Sequence, residues 1–188
     1  MVTIKELLKN IAPGQSSLKL GYVQRALDAF SKSIAPRIQI TYAKPELDGT
    51  TIYFLIPSES KAESFYDIVI WFDSTNRLNW ETKIRVYSNS PGFAYNFTYL
   101  FKKDNSLLFP QYYPKEFLTM PPKIRNPLKT RGFDKHVYAA IKYLGKYSLP
   151  PIVDRFKEKK EPKVMTFLEK MSGPKEKKYL KDEKKNTK

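Results

Sequence analysis

Three features of the chain predict an α+β fold: two amphipathic stretches at the start, four β-rich runs joined by short turns, and a later half broken by prolines. The predicted arrangement is two N-terminal helices on an antiparallel sheet of about four strands. A proline-aromatic extended segment, a further helix and a basic tail follow.

In the first stretch Ile4, Leu7, Leu8 and Ile11 recur at helical spacing, and Pro13-Gly14 stops the pattern. Ser16-Ser17 can cap a second helix with Leu20, Val23, Leu27 and Phe30 on one stripe, ended by Ala35-Pro36. Each helix must bury its apolar stripe against another element.

Strand periodicity takes over next. Ile38, Ile40 and Tyr42 alternate with Arg37, Gln39 and Thr41, as in a strand with one wet face. A turn at Pro45-Glu-Leu-Asp-Gly49 leads to a second strand, Thr50 to Ile56, ended by Pro57. The run from Ser58 to Ser64 is polar and reads as a loop. Phe65 to Phe72 is apolar on both faces, which predicts a central strand. Asp73-Ser-Thr-Asn76 turns the chain into a fourth strand, Thr82 to Tyr87. Short turns between consecutive strands imply an antiparallel meander.

Rings at 93, 95, 97, 99 and 101 follow a period of two and would share one face of a strand. Phe93, Phe97 and Phe101 also fit a helix by their spacing of four. Ser90-Pro91 is a helix start signal and tips the reading to helix. From Phe109 to Pro127 five prolines exclude a long regular element and predict an extended segment. Phe133 to Tyr147 reads as a helix with Val137, Ala140, Ile141 and Leu144 on one face. The domain is thus expected to span 1–150, including the extended segment 109–127. Residues 151–188 are expected to be a basic, flexible tail, of which 154–188 is dispensable for folding but contributes to partner binding, with Val164, Met165, Phe167, Leu168 and Met171 as a small apolar cluster.

Charge divides the 188-residue chain differently. Its formal net charge is +15, but residues 1–100 hold 11 Lys/Arg against 9 Asp/Glu, and residues 101–188 hold 23 against 10. The second half supplies almost the whole positive field. Aromatics at 14% argue for a packed core in place of a disordered chain. Cysteine is absent, which excludes disulfides and thiol nucleophiles; a single histidine, His136, excludes histidine pairs. With only 7 Gly, no phosphate-cradling loop can be assembled. No cofactor is expected.

One catalytic pattern exists. Glu81-Thr82-Lys83 sets a carboxylate and an ammonium two residues apart, and Asp67 or Asp73 could join them in a metal-dependent nuclease site. A Glu-x-Lys triplet is common in lysine-rich chains, and on a strand it ordinarily pairs with cross-strand neighbours. His136 reads as a surface or capping histidine. A non-enzymatic role is therefore expected, with the nuclease as the third reading.

Basic residues interleaved with Tyr and Phe are the ingredients of non-specific nucleic-acid binding. The candidate contacts to nucleic acid or an acidic partner are Lys102, Lys103, Lys123, Arg125, Lys129, Arg131 and Lys135. Basic tails also confer solubility alone, and aromatics in strands are mostly core. The proline-aromatic segment and the charged tail fit chain that orders on a neighbour, or else a loop that wraps its own domain. The N-terminus has charges inside its apolar stretch, unlike a signal peptide, and the longest apolar run, Ile68 to Phe72, is far below a membrane span of ~18 residues. Synthesis and retention on the cytoplasmic side of the producing cell are expected, with no membrane partner.

The stretch from Arg85 to Leu108, with its centre Ser88-Asn-Ser-Pro-Gly-Phe-Ala-Tyr-Asn-Phe-Thr-Tyr-Leu-Phe101, resembles a segment of small proteins encoded by tailed phages of Gram-positive hosts. Ile11-Ala-Pro13, Ser33-Ile-Ala-Pro-Arg37 and Arg125-Asn-Pro127 are similar as well, so the resemblance touches about a third of the chain. It carries no catalytic motif. It implies a virion structural or assembly protein, oligomeric among other phage structural proteins, with a basic C-terminal half able to contact DNA. A non-sequence-specific nucleic-acid-binding protein of phage replication or recombination is the alternative.

Overall fold

The computed structural model describes residues 1–9, 17–59, 64–122, 132–145 and 148–172. The fold is α+β, built on a five-stranded antiparallel sheet. The strands are β1 (Val2–Thr3), β2 (Gln39–Glu46), β3 (Gly49–Pro57), β4 (Phe65–Phe72) and β5 (Lys83–Ser88). Their order is β1-β5-β4-β3-β2, so β2 to β5 form the predicted meander and β4 is central. The helices are α1 (Ile4–Lys9), α2 (Ser17–Ile34), α3 (Pro91–Asn96), α4 (Thr98–Lys103), α5 (Lys115–Thr119), α6 (Lys135–Leu144), α7 (Leu149–Phe156) and α8 (Phe167–Met171).

The extra strand, β1, pairs Val2 with Ile84 and Thr3 with Lys83. Past it the edge of β5 is closed by chain from the aromatic half: Val86 N–H donates to the Ser106 carbonyl at 2.8 Å, and Leu108 N–H to the Val86 carbonyl at 2.9 Å. That edge offers little open ladder for mispairing. At the other edge, the expected alternation of Ile38, Ile40 and Tyr42 fails. The register slips between Ile40 and Tyr42, so Ile40 opposes Phe54 while Tyr42 opposes Tyr53, on the other face. A bulge adds one residue and inverts the side-chain sequence beyond it. Gly49 closes the β2–β3 turn at a site with no room for a side chain, because a Cβ there would lie 2.1 Å from the Phe72 carbonyl oxygen.

Both faces of the sheet are covered. Ile52, Phe54, Ile56, Ile68, Ile70, Phe72, Ile84 and Val86 share one face by register and are almost wholly buried. Helix α6 lies against β3 and β4 and packs on α2, and its His136 ring meets Tyr66 on this face. Tyr53, Val69, Trp71 and Tyr87 are buried on the opposite face. Rings of Phe109, Tyr112 and Tyr113 cover Tyr87 there.

The aromatic run is helical, as the Ser90 cap predicts: Ser90 Oγ accepts from Phe93 N–H at 3.2 Å. It is two helices, because Phe97 (φ −124°, ψ −21°) interrupts the run. Phe93 and Phe101 are buried, while Tyr95, Phe97 and Tyr99 are half-buried, so the five rings form no exposed ladder. The described part of the proline-aromatic segment holds a 3₁₀ turn at Pro110–Tyr112 and the short α5. It wraps its own domain: Tyr113 is buried, and its hydroxyl donates to the Ser88 carbonyl at 2.7 Å. Phe109 takes left-handed backbone (φ 49°), unusual for a bulky residue, with its ring against Tyr87 and Tyr112.

Pro150-Pro151 does not mark the start of a flexible tail. Both prolines lie in the first turn of α7, where a missing N–H costs nothing, and Leu149 and Val153 are buried. Beyond α7 the chain crosses the sheet, and α8 buries Phe167 and Met171 completely. Thr166 and Glu169 form a reciprocal capping box that starts α8. Residues 173–188 of the expected tail lie outside the described residues.

Candidate polyanion-binding surface

The candidate cations fall in different settings. Lys102 and Lys103 occupy the last turn of α4, exposed, where positive charge complements the helix dipole. Lys135 opens α6, is ion-paired with Glu59 and lies 4.9 Å from the centre of the Phe30 ring. Lys123, Arg125, Lys129 and Arg131 lie outside the described residues.

A denser cationic group lies in the stretch expected to be a partner-binding tail, though none of its residues is among the named candidates: Arg155, Lys157, Lys159, Lys160 and Lys163 lie within nine residues that include only two acids, Glu158 and Glu161. All five cations are exposed. Lys157 bonds Asp154 at 2.9 Å, and Lys163 reaches Glu169 at 3.8 Å. Glu161, itself exposed, accepts from the Tyr53 hydroxyl. The Phe156 ring is covered by Arg155 (5.3 Å) and Lys159 (4.6 Å). The signal for it in the sequence is the run Arg155-Phe-Lys-Glu-Lys-Lys-Glu-Pro-Lys163.

This segment is tied down at both ends. Upstream, Leu149 N–H donates to the Asn76 carbonyl at 2.6 Å. Downstream, Met165 is a backbone anchor: its N–H donates to Asp67 Oδ2 (3.1 Å), and its carbonyl accepts from the Tyr87 hydroxyl (2.7 Å) and Asn89 Nδ2 (3.2 Å). Asn89 also donates to Asp67 Oδ2 at 3.0 Å. Burial raises the Asp67 carboxyl above its ordinary value, against the lowering by Met165 N–H, Asn89 and Lys170. Burial and the hydrogen bond to Glu161 push the Tyr53 hydroxyl up, and burial and the Asp67 charge do the same to Tyr87.

The nuclease constellation is not assembled. Glu81 lies in the turn before β5 and is paired with Lys5. Asp73 Oδ1 accepts from the Lys83 N–H at 2.6 Å, which makes it a turn-closing residue. Asp67 opposes Leu55 near the other end of β4. No cluster of three or more His, Cys, Asp or Glu able to hold a metal ion occurs among the described residues.

His136 is neither on the surface nor a cap. Asp134 is the cap of α6: its Oδ1 accepts from His136 N–H (3.0 Å) and lies 3.1 Å from His136 Nδ1. The imidazole is buried with its ring edge-on to Phe30 and Tyr66, and its Nε2 has no hydrogen-bond partner. Among the described residues no helix is long and apolar enough to cross a membrane. Compared with known proteins, the chain matches no family model, no curated protein and no solved structure.

Proposed function

We propose that this protein is a non-enzymatic structural or assembly component of a tailed-phage particle, docking through its basic C-terminal half onto a polyanionic neighbour. The observation that carries the docking is the segment from Arg155 to Lys163, whose cations face solvent while both flanks are fixed to the body. Charge held on a folded surface loses less conformational freedom on binding than charge on a free tail. The phage assignment is supported by the sequence patches around Ser88 to Phe101. Within a particle this half faces DNA or an acidic surface of another structural protein, and the protein is oligomeric by virtue of that assembly. Quantitative mass spectrometry of purified particles tests the assignment: a fixed copy number per particle supports it. Absence from particles, with presence in infected cells, contradicts it and favours the replication or recombination reading.

A further inference from the structure

We infer that the segment from Arg155 to Lys163 is a binding site for the phosphate backbone of nucleic acid, read without regard to base sequence. This rests on the polyanion-docking reading above and names the partner.

Three observations separate phosphate from an acidic protein surface. First, the cations are mainly lysine, and Lys157, Lys159, Lys160 and Lys163 are all exposed. Centres of protein–protein interfaces are depleted in lysine and built around apolar or aromatic anchors. Phosphate contacts need only well-placed positive charge. Second, this stretch offers no free anchor, because the Phe156 ring is half-buried and its exposed part carries Arg155 and Lys159. The same covering leaves no ring on which a base could stack, so the contact is to backbone and not to bases. Third, the two acids in the stretch do not form a matching negative face. Glu161 accepts from the Tyr53 hydroxyl, Asp154 pairs with Lys157 and Glu169 lies 3.8 Å from Lys163, which leaves Arg155, Lys159 and Lys160 with Glu158 as the one further acid of the stretch. The nearest exposed apolar side chain downstream is Met165, 42% exposed. A protein partner would find its apolar contact there.

The test is fluorescence anisotropy of labelled mixed-sequence duplex DNA against the full chain across a salt series, with poly-glutamate as competitor. Each phosphate neutralised contributes a log-log salt slope of about −0.9 on duplex DNA. Replacing Lys157, Lys159, Lys160 and Lys163 together by Ala is expected to make the slope shallower by roughly 3 to 4 and to weaken binding by at least about tenfold at low salt. The thermal midpoint should stay in place, since all four side chains are exposed. Lys102→Ala with Lys103→Ala is expected to change the slope less, and Met165→Ser not at all. An unchanged slope in the four-lysine variant would overturn the site. Failure of the wild type to bind DNA at low salt would overturn it as well. If poly-glutamate displaces the protein as readily as unlabelled DNA, or Met165→Ser weakens binding as much as the lysine changes, the partner is an acidic protein surface. None of these outcomes bears on copy number in particles, so the two readings fail separately.

Discussion

The Asp134 carboxylate occupies the space that a side chain on Gly92 would need: a Cβ built on Gly92 would lie 2.5 Å from Asp134 Oδ2. One oxygen of Asp134 caps α6 through His136, and the other approaches the start of α3, where Ser90 also bonds the carboxylate. The helix that follows the sheet and the helix that covers it are thereby joined at one buried anion.

Gly92→Ala is expected to destabilise the protein by about 1–3 kcal/mol, because the new methyl must displace a buried, hydrogen-bonded carboxylate. Helix propensity alone would give the opposite sign, a gain of about 1 kcal/mol. Urea unfolding distinguishes the two.

Desolvation pushes the Asp134 carboxyl up, but the electrostatic influence of the adjacent His136 and hydrogen bonds from His136 and Ser90 outweigh it, holding the group below its ordinary value. A depressed acid contributes stability that is present above its unfolded value, near 3.9, and lost as pH falls through the folded one. Asp67 is shifted the other way, so its ionised form is disfavoured in the fold at neutral pH. Asp67→Asn is therefore expected to be neutral or stabilising at pH 7, since an amide oxygen still accepts from Met165. Acidification should raise the stability of the wild type relative to that variant. Asp134→Asn should lose stability at pH 7 and converge on the wild type in acid. Urea midpoints at neutral and acid pH check both signs.

Tyr53, Tyr87, Tyr113 and Tyr138 are all pushed above the ordinary phenol value, chiefly by burial. At Tyr138, Asp28 accepts from the hydroxyl at 2.7 Å and Gln24 Nε2 donates to it. Raised phenols contribute stability that is fully present below the unfolded value, about 10, and lost as pH rises through the folded one. Spectrophotometric titration should show these four un-ionised at pH values where exposed tyrosines have already titrated. Their ionisation should then coincide with alkaline unfolding.

Most of the sheet was legible because β3 and β4 are long, apolar and bounded by turn residues. β1 was not, since two residues cannot display a period of two. The bulge at Ile40/Tyr42 was hidden by an alternation that looked regular in sequence but is broken by one inserted residue. The stretch from Pro151 to Ser172 differs from the expected flexible tail for a compositional reason: its many lysines outweigh a short but specific signal. Thr166-x-x-Glu169 is a capping box, and Phe167 and Met171, spaced by four, are the apolar pair of the helix that it starts. The buried Asp134–His136 pair could not be read at all, because its burial depends on Phe30 and Tyr66, remote in sequence. Of the candidate cations, Lys102 and Lys103 are exposed, and Lys135 is paired with Glu59.

The seating of the C-terminal segment on the sheet, from which its outward lysines follow, is tested most directly by comparing the thermal unfolding of chains ending at Ser172 and at Pro162. The shorter chain loses the buried Val164, Phe167 and Met171, at about 1.5–3 kcal/mol for each large apolar side chain. It also removes the Met165 partners of Asp67, Asn89 and Tyr87. A fall of ten degrees or more, at roughly 2–4 °C per kcal/mol, is the expected result. Equal midpoints would contradict it, and would mean that these residues hang free of the body.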